Sequence, residues 1–279
     1  MKVCVTGASG RAGRAVVADL LEHGHRVFAT DLLVPPPGAL GKAQFTRADL
    51  TDFGQAVEVL QGAEAVVHMA NIPAPGLRTP AVTFNENMTM NFNVFTAAAH
   101  AGMSRVVWAS SETTLGLPFD VPPKYAPVDE DHYPFPTSTY ALSKVASETV
   151  ATHVAQWSGI PFVALRFSNI LGPADYQNFP TYWADPSLRK WNLWGYIDER
   201  DAAAACRLAL TAEVSGSESF IIAAADSVMT RPSAELMSEV FPTVPLRPVD
   251  GTGTLLSIAK AAALLGFKPA HSWRDHVTE

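Results

Sequence analysis

Tyr140 and Lys144 stand four residues apart, with the pair Ser110-Ser111 roughly thirty residues upstream. On a helix that spacing projects a phenol and an ammonium from one face. The other chemically distinctive segment is Thr6-Gly7-Ala8-Ser9-Gly10-Arg11-Ala12-Gly13, directly after the apolar run Val3-Cys4-Val5. A free phenol, with a pKa of ~10, exchanges protons poorly near neutrality. An ammonium within a few Å favours the phenolate and lowers that value. Glycines placed to cradle phosphates, joined to a tuned proton donor, point to hydride transfer between a nicotinamide and a substrate alcohol.

Gly7, Gly10 and Gly13 fall at a strand-to-helix turn. The first permits the tight turn, the second lets the backbone approach a pyrophosphate, and the third lets the first helix pack closely on a sheet. The helix N-terminus then offers free N–H groups and a partial positive charge to the phosphates. Asp31 ends the second strand, 18 residues after Gly13. A carboxylate there accepts both hydroxyls of an adenosine ribose and repels a 2′-phosphate, so the expected cofactor is NAD rather than NADP. Arg11 and Arg14 are nearby, as pyrophosphate contacts or as a solvated helix face. Asp49 and Leu50 are placed to reach the adenine; capping of the helix begun by Thr51-Asp52 is the alternative for Asp49.

These groups need a sheet to position them. Strands are expected at Lys2–Thr6, Arg26–Thr30, Gln44–Arg47, Ala65–His68, Arg105–Ala109, Phe162–Phe167 and Glu218–Ile222. Helices are expected at Arg11–Glu22, Phe53–Leu60, Ala81–Ala101, Ser138–Trp157 and Glu199–Leu210. Runs such as Val106-Val107-Trp108 are apolar without alternation, as in strands buried on both faces of a parallel sheet. The order predicts an α/β, doubly wound parallel sheet. Residues 168–197, rich in Pro, Trp, Tyr and Asn, and residues 224–279, with short helices near Pro232–Val240 and Leu255–Leu265, break the rhythm. They are expected to form a small C-terminal cap over the strand ends. The division expected is 1–167 plus 198–223 for nucleotide and 168–197 plus 224–279 for substrate.

With 279 residues, 48% hydrophobic and 17% charged, the chain can bury a sizeable core. The net charge of -7 gives no basic field for nucleic acid or an anionic membrane. Cys4 and Cys206 sit in apolar runs and read as buried thiols. No stretch approaches the ~18 apolar residues of a membrane span, and only three apolar residues stand between Lys2 and Thr6, too few for a signal peptide's apolar core. A cytoplasmic location is expected. The eight histidines show no metal-ligand spacing, and His68 reads as a packed, hydrogen-bonded residue. Helices 81–101 and 138–157 are apolar on more than one face, which suits a homodimer seam or packing within the chain.

Taken in order, these segments identify a resemblance to the extended short-chain dehydrogenase/reductase family, the NAD-dependent epimerase/dehydratase group, with its Rossmann fold. It covers roughly residues 1–225 and rests on Thr6–Gly13, Asp31, Ala48-Asp49-Leu50, Val66–Ala70, Asn87, Ala109-Ser110-Ser111, Tyr140 with Lys144, and Leu165–Asn169. The resemblance implies that Tyr140 is the general acid/base, that Lys144 holds the nicotinamide ribose and tunes Tyr140, and that Ser111 hydrogen-bonds the reacting oxygen. It implies that Met69 and Ala70 line the cofactor cleft, that Asn87 faces the cofactor, and that Asn169 touches substrate.

Family dehydratases carry Asp-Glu directly after the Ser/Thr; here the pair is Glu112-Thr113, which removes dehydration and places Glu112 toward substrate. Length, the pattern around Pro180–Trp183, and Leu264–Pro269 look most like the uronate-dehydrogenase branch. Asn178 stands where that branch's carboxylate-binding arginine is expected, so a neutral sugar-like alcohol fits better than a uronate. Trp183, Trp191 and Trp194 are candidates to stack on its apolar face, or to fill the cap core. Arg189, Lys190 and Arg231 are the cations available for a diphosphate. The main reading is an NAD-dependent dehydrogenase of a sugar-like secondary alcohol or hemiacetal carbon. The alternative is a sugar or nucleotide-sugar epimerase using the same residues; a non-catalytic NAD(P)-binding regulator would keep the glycine turn but lose the Tyr/Lys pair.

Overall fold

The computed structural model of the chain describes residues 1–278. Seven parallel strands form one sheet: β1 (Lys2–Thr6), β2 (Arg26–Asp31), β3 (Gln44–Arg47), β4 (Ala65–His68), β5 (Arg105–Ser111), β6 (Phe162–Phe167) and, after two short strands, β9 (Ser217–Ile222). Their order is β3-β2-β1-β4-β5-β6-β9. The chain runs outward from β1 to β3, then returns to β1's other side at β4. That reversal opens a crevice beyond the carboxyl ends of β1 and β4.

Successive strand side chains feed opposite faces, so a continuous apolar run supplies two cores. Val3, Val5 and Val107 enter the core under helices α1 (Arg11–Glu22) and α7 (Glu199–Thr211). Cys4, Val106 and Trp108 enter the other core, under α2 (Phe53–Leu60), α3 (Pro80–His100) and α4 (Thr139–Ser158). In α1 the buried positions Gly13, Val16, Val17 and Leu20 follow the helical period. Both thiols are buried and free. Within the second core Phe95 meets Trp108 and Phe162 edge to face, each at 5.2 Å. Phe95 and Val154 are thus consumed within the chain, while Phe92 stays exposed. No helix among the described residues is long and apolar enough to cross a membrane.

A third core builds the cap. It is fed by α5 (Pro173–Tyr176), α6 (Pro180–Trp183) and α8 (Ser233–Val240), beside the small parallel pair β7 (Ile170–Leu171) and β8 (Ile197–Asp198), whereas α9 (Ala259–Leu265), expected in the cap, packs Ala261 and Leu265 into the core under α1 and α7. The second short helix expected from sequence starts late: Leu255 and Leu256 precede it and are buried, Leu256 bridges to Val128, and the Val128 N–H donates to the Leu255 carbonyl at 2.8 Å. The cap core also takes in Leu115, Leu117, Phe119 and Ala126. The expected boundary at 167 therefore omits a stretch that packs with the cap, because nothing local in 115–128 announces pairing with residues over a hundred positions away.

Candidate active site

The crevice opens into a cleft of about 950 Å³ lined from both sides by the glycine turn, the ends of β2, β4 and β5, the start of α4 and the cap. Gly7 has φ +65°, and a Cβ there would stand 2.6 Å from the Ala70 nitrogen. At Gly13 a Cβ would meet the Gly7 carbonyl oxygen at 2.0 Å. The glycines thus hold α1, the turn and the Met69-Ala70 backbone in mutual contact. Gly10 caps α1 with no side-chain hydrogen bond, leaving first-turn N–H groups facing the cleft. Behind the turn, Thr6 Oγ1 and His68 Nδ1 are 2.6 Å apart, and His68 Nε2 is 2.9 Å from Asn91 Oδ1. Burial pushes this imidazole down to about 3, so it stays neutral.

Asp31 ends β2 on the cleft, its carboxylate accepting from the Ser9 N–H at 2.9 Å and the Leu33 N–H at 3.0 Å. Asp49 and Leu50 also line the cleft. Asp49 accepts from Thr51 N and Oγ1 at 2.9 and 2.7 Å, while the cap of α2 is Asp52. Arg11 lines the cleft as well, ion-paired with Asp175 of the cap.

Ser138 starts α4 by accepting from the Ala141 N–H at 3.1 Å, which sets the helix so that Tyr140 and Lys144 face inward. They are 7% and 1% exposed. Lys144 Nζ donates to the Ala109 carbonyl at 2.6 Å and lies 5.6 Å from the Tyr140 ring centroid. Ser111, at the end of β5, accepts from Thr113 N and Oγ1 and hydrogen-bonds Tyr140. Its neighbour Ser110 donates instead to Glu148 at 2.6 Å. Glu148 pairs twice with Arg166, at 2.9 and 2.7 Å, rather than with Lys144.

The expected lowering of the Tyr140 pKa is reversed. Burial pushes the phenol up to about 12, opposed by the Ser111 hydrogen bond and reinforced by the Glu112 charge. Lys144 is itself pushed down to about 7 by burial, against the Glu148 charge. Taking each group out of water outweighs the Ser111 hydrogen bond at Tyr140 and the Glu148 charge at Lys144. Glu112, 3% exposed, lines the cleft beside Ser111; it accepts from Ser168 Oγ at 2.6 Å and Asn192 Nδ2 at 3.2 Å. Burial pushes its carboxyl up to about 7.

Three expected contacts are not at the cleft. Asn87 is fully buried and accepts from the Ile72 N–H at 2.8 Å while donating to the Ile72 carbonyl at 3.1 Å. It pins the loop after β4 and does not line the cleft. Asn178 is exposed between α5 and α6. Trp183 donates from Nε1 to the Val228 carbonyl at 3.0 Å and packs against Trp273 at a 40° tilt, as cap filling. Of the three cap tryptophans considered, Trp191 lines the cleft, with Asn169. Asn71 was missed by sequence reasoning. It lines the cleft, and both polar atoms of its amide are buried without a partner. Its place directly after Met69-Ala70 was the available signal.

A model of the NAD dependent epimerase/dehydratase family matches residues 3–223. The chain belongs to that family. The UDP-glucose 4-epimerase of Corynebacterium glutamicum is 26% identical over 98% of this chain and 92% of its own. The NAD-dependent glucose-6-phosphate dehydrogenase of Haloferax volcanii is 27% identical over 65% of this chain and 74% of its own. The fold matches that of a UDP-glucose 4-epimerase with UDP-glucose from Thermotoga maritima, with TM-score 0.76 and 21% identity over 99% and 96% of the two chains. None of these three matches carries the finer likeness to uronate dehydrogenases.

The residues of this epimerase/dehydratase family member fit NAD, the cofactor of the family. The glycine cradle has no room for a Cβ at Gly7 or Gly13, α1 presents uncapped N–H groups, Asp31 stands at the end of β2, and the Asn71 amide lacks a partner.

Proposed function

We propose that the protein oxidises a secondary alcohol of a sugar in this cleft and then reduces the resulting ketone from its other face, which makes it a sugar epimerase. The observation that carries this is the placement of Ser111, Tyr140 and Lys144 at one end of the cleft whose other end is the glycine turn. Bound NAD supplies the hydride acceptor and donor. Ser111 holds the reacting oxygen, and Tyr140 takes the hydroxyl proton and later gives it back. Lys144, fixed on the Ala109 carbonyl, places its ammonium against the Tyr140 ring, where it favours the phenolate against the burial cost.

The match to a 4-epimerase over nearly the whole chain supports hydride return over hydride release. The dehydrogenase reading stands second, supported by the Haloferax volcanii relative. To separate them, cofactor is extracted from the purified protein, and a sugar panel is followed both at the NADH absorbance and by product analysis. Stoichiometric tightly held NAD, with epimer formed and no NADH accumulating, is expected. One NADH per sugar consumed would instead establish the dehydrogenase. A Tyr140→Phe variant with full activity on the same sugar would overturn both.

A further inference from the structure

The substrate end of the cleft holds a buried carboxyl group, and Arg189, the arginine whose charge reaches it, does not line the cleft. Glu112 is fixed between Ser168 and Asn192 and cannot turn away from the cleft. Arg189 is buried, its guanidinium 5.4 Å from the Tyr182 ring and 4.7 Å from the Trp191 ring, with Nη2 donating to the Gly195 carbonyl at 2.9 Å and Nε enclosed without a partner. Arg231 donates to Glu239 at 2.7 Å on the surface. Arg11 pairs with Asp175 and stands 3.9 Å from Glu199. The other cleft cations among the described residues are Lys144, bound to the Ala109 carbonyl, and Arg78, exposed on the loop before α3 and outside the cap.

A diphosphate is held by charge-assisted, often bidentate, cation pairs. Entering here it would meet Glu112, with Arg189 held outside the cleft lining on the Gly195 carbonyl and Arg11 paired with Asp175 at the phosphate end. A sugar hydroxyl, in contrast, donates to an ionised carboxylate in a bond roughly twice as strong as one between neutral groups.

We propose that the site takes an uncharged, unphosphorylated sugar, and that Glu112 selects it by accepting from a hydroxyl near the one held by Ser111 and Tyr140. The proposal rests on the sugar-oxidising reading above and departs from the nucleotide-sugar and sugar-phosphate substrates named for the relatives. Trp191, on the same wall, offers a flat apolar surface to a sugar ring face.

The test titrates the NAD-saturated protein with UDP, glucose 6-phosphate and a panel of free hexoses and pentoses, read by calorimetry. UDP and glucose 6-phosphate are expected to show no binding tighter than about 1 mM, and at least one free sugar to bind. Glu112→Gln should weaken that sugar about tenfold or more at pH 8 with NAD affinity unchanged, and Glu112→Asp should recover part of the loss. Micromolar binding of UDP or glucose 6-phosphate, a panel in which no free sugar binds, or a Glu112→Gln variant that binds the sugar like the parent would each overturn it. Failure of the underlying reading looks different: it is a Tyr140→Phe variant that keeps its activity.

Discussion

Arg11, in the first turn after the glycine loop, is ion-paired with Asp175 of the cap, 164 residues further along the chain. The pair ties the phosphate end of the nucleotide cleft to the element that covers it. Asp175 also accepts from the Gly172 N–H at 2.8 Å, so the same carboxylate orders the start of α5.

Both partners are partly exposed, so the pair contributes no more than about 1 kcal/mol to stability. Arg11→Ala and Asp175→Asn are expected to leave thermal melting nearly unchanged while speeding NAD release several-fold. The double variant should release no faster than the faster single one. Stopped-flow release that matches the parent would show that the pair does not restrain the cap.

The glycines should not respond alike to alanine. Gly7→Ala places a β-carbon 2.6 Å from the Ala70 nitrogen at a φ of +65°, and Gly13→Ala places one 2.0 Å from the Gly7 carbonyl oxygen. Each is expected to destabilise by about 2 kcal/mol or more and to abolish NAD binding. Gly10→Ala, at φ -70° with its nearest neighbour at 3.3 Å, should fold with a loss of about 1 kcal/mol or less. Thermal melts and NAD titrations rank the three.

Asp31 sits at the tip of β2 with its carboxylate accepting two backbone N–H groups. Asp31→Asn keeps the acceptor shape and removes the charge. It should narrow the preference for NAD over NADP by about tenfold or more. Dissociation constants for the two nucleotides check this, and an unchanged ratio would remove the charge of Asp31 from the discrimination.

Glu112, His68 and Lys144 together set how the cofactor-free protein's stability changes with pH. The folded Glu112 carboxyl titrates near 7 and the unfolded one near 4.5, so between those values the folded state holds a proton that the unfolded chain has lost. Its contribution therefore falls as pH rises from about 4.5 to 7, by about 3 kcal/mol at most. Buried His68 titrates near 3 folded and 6.5 unfolded, so its contribution rises over much of the same range and offsets that fall. Lys144 titrates near 7 folded and near 10.5 unfolded, so stability rises with pH above 7. Urea midpoints should be nearly level from about pH 5 to 6.5 and climb between about pH 7 and 9. Glu112→Gln should turn the level acid stretch into a rise with pH, and Lys144→Met should flatten the alkaline climb.

Local chemistry made the glycine turn, the strand-helix alternation and the Tyr140–Lys144 pitch legible in sequence. A tight turn, a buried parallel strand and one helical turn are each written within a few consecutive residues. Ser111 was legible for the same reason, as the last residue of β5. Asn178 and Trp183 were misplaced because they belong to the cap, where side-chain direction is set by distant partners: Trp183 by Val228 and Trp273, Glu112 by Ser168 and Asn192. Asn87 was given a ligand-facing role, yet its amide is spent on Ile72.

The sequence by itself determined the sheet, the glycine turn and the shared helix face of Tyr140 and Lys144, since each depends on short-range periodicity and turn geometry. Tertiary structure decided the electrostatics and the occupants of the substrate end. Burial, which no local pattern measures, moved Tyr140 up and Lys144 down. Long-range pairing committed Arg11 and Arg189 elsewhere and left Glu112 facing the cleft.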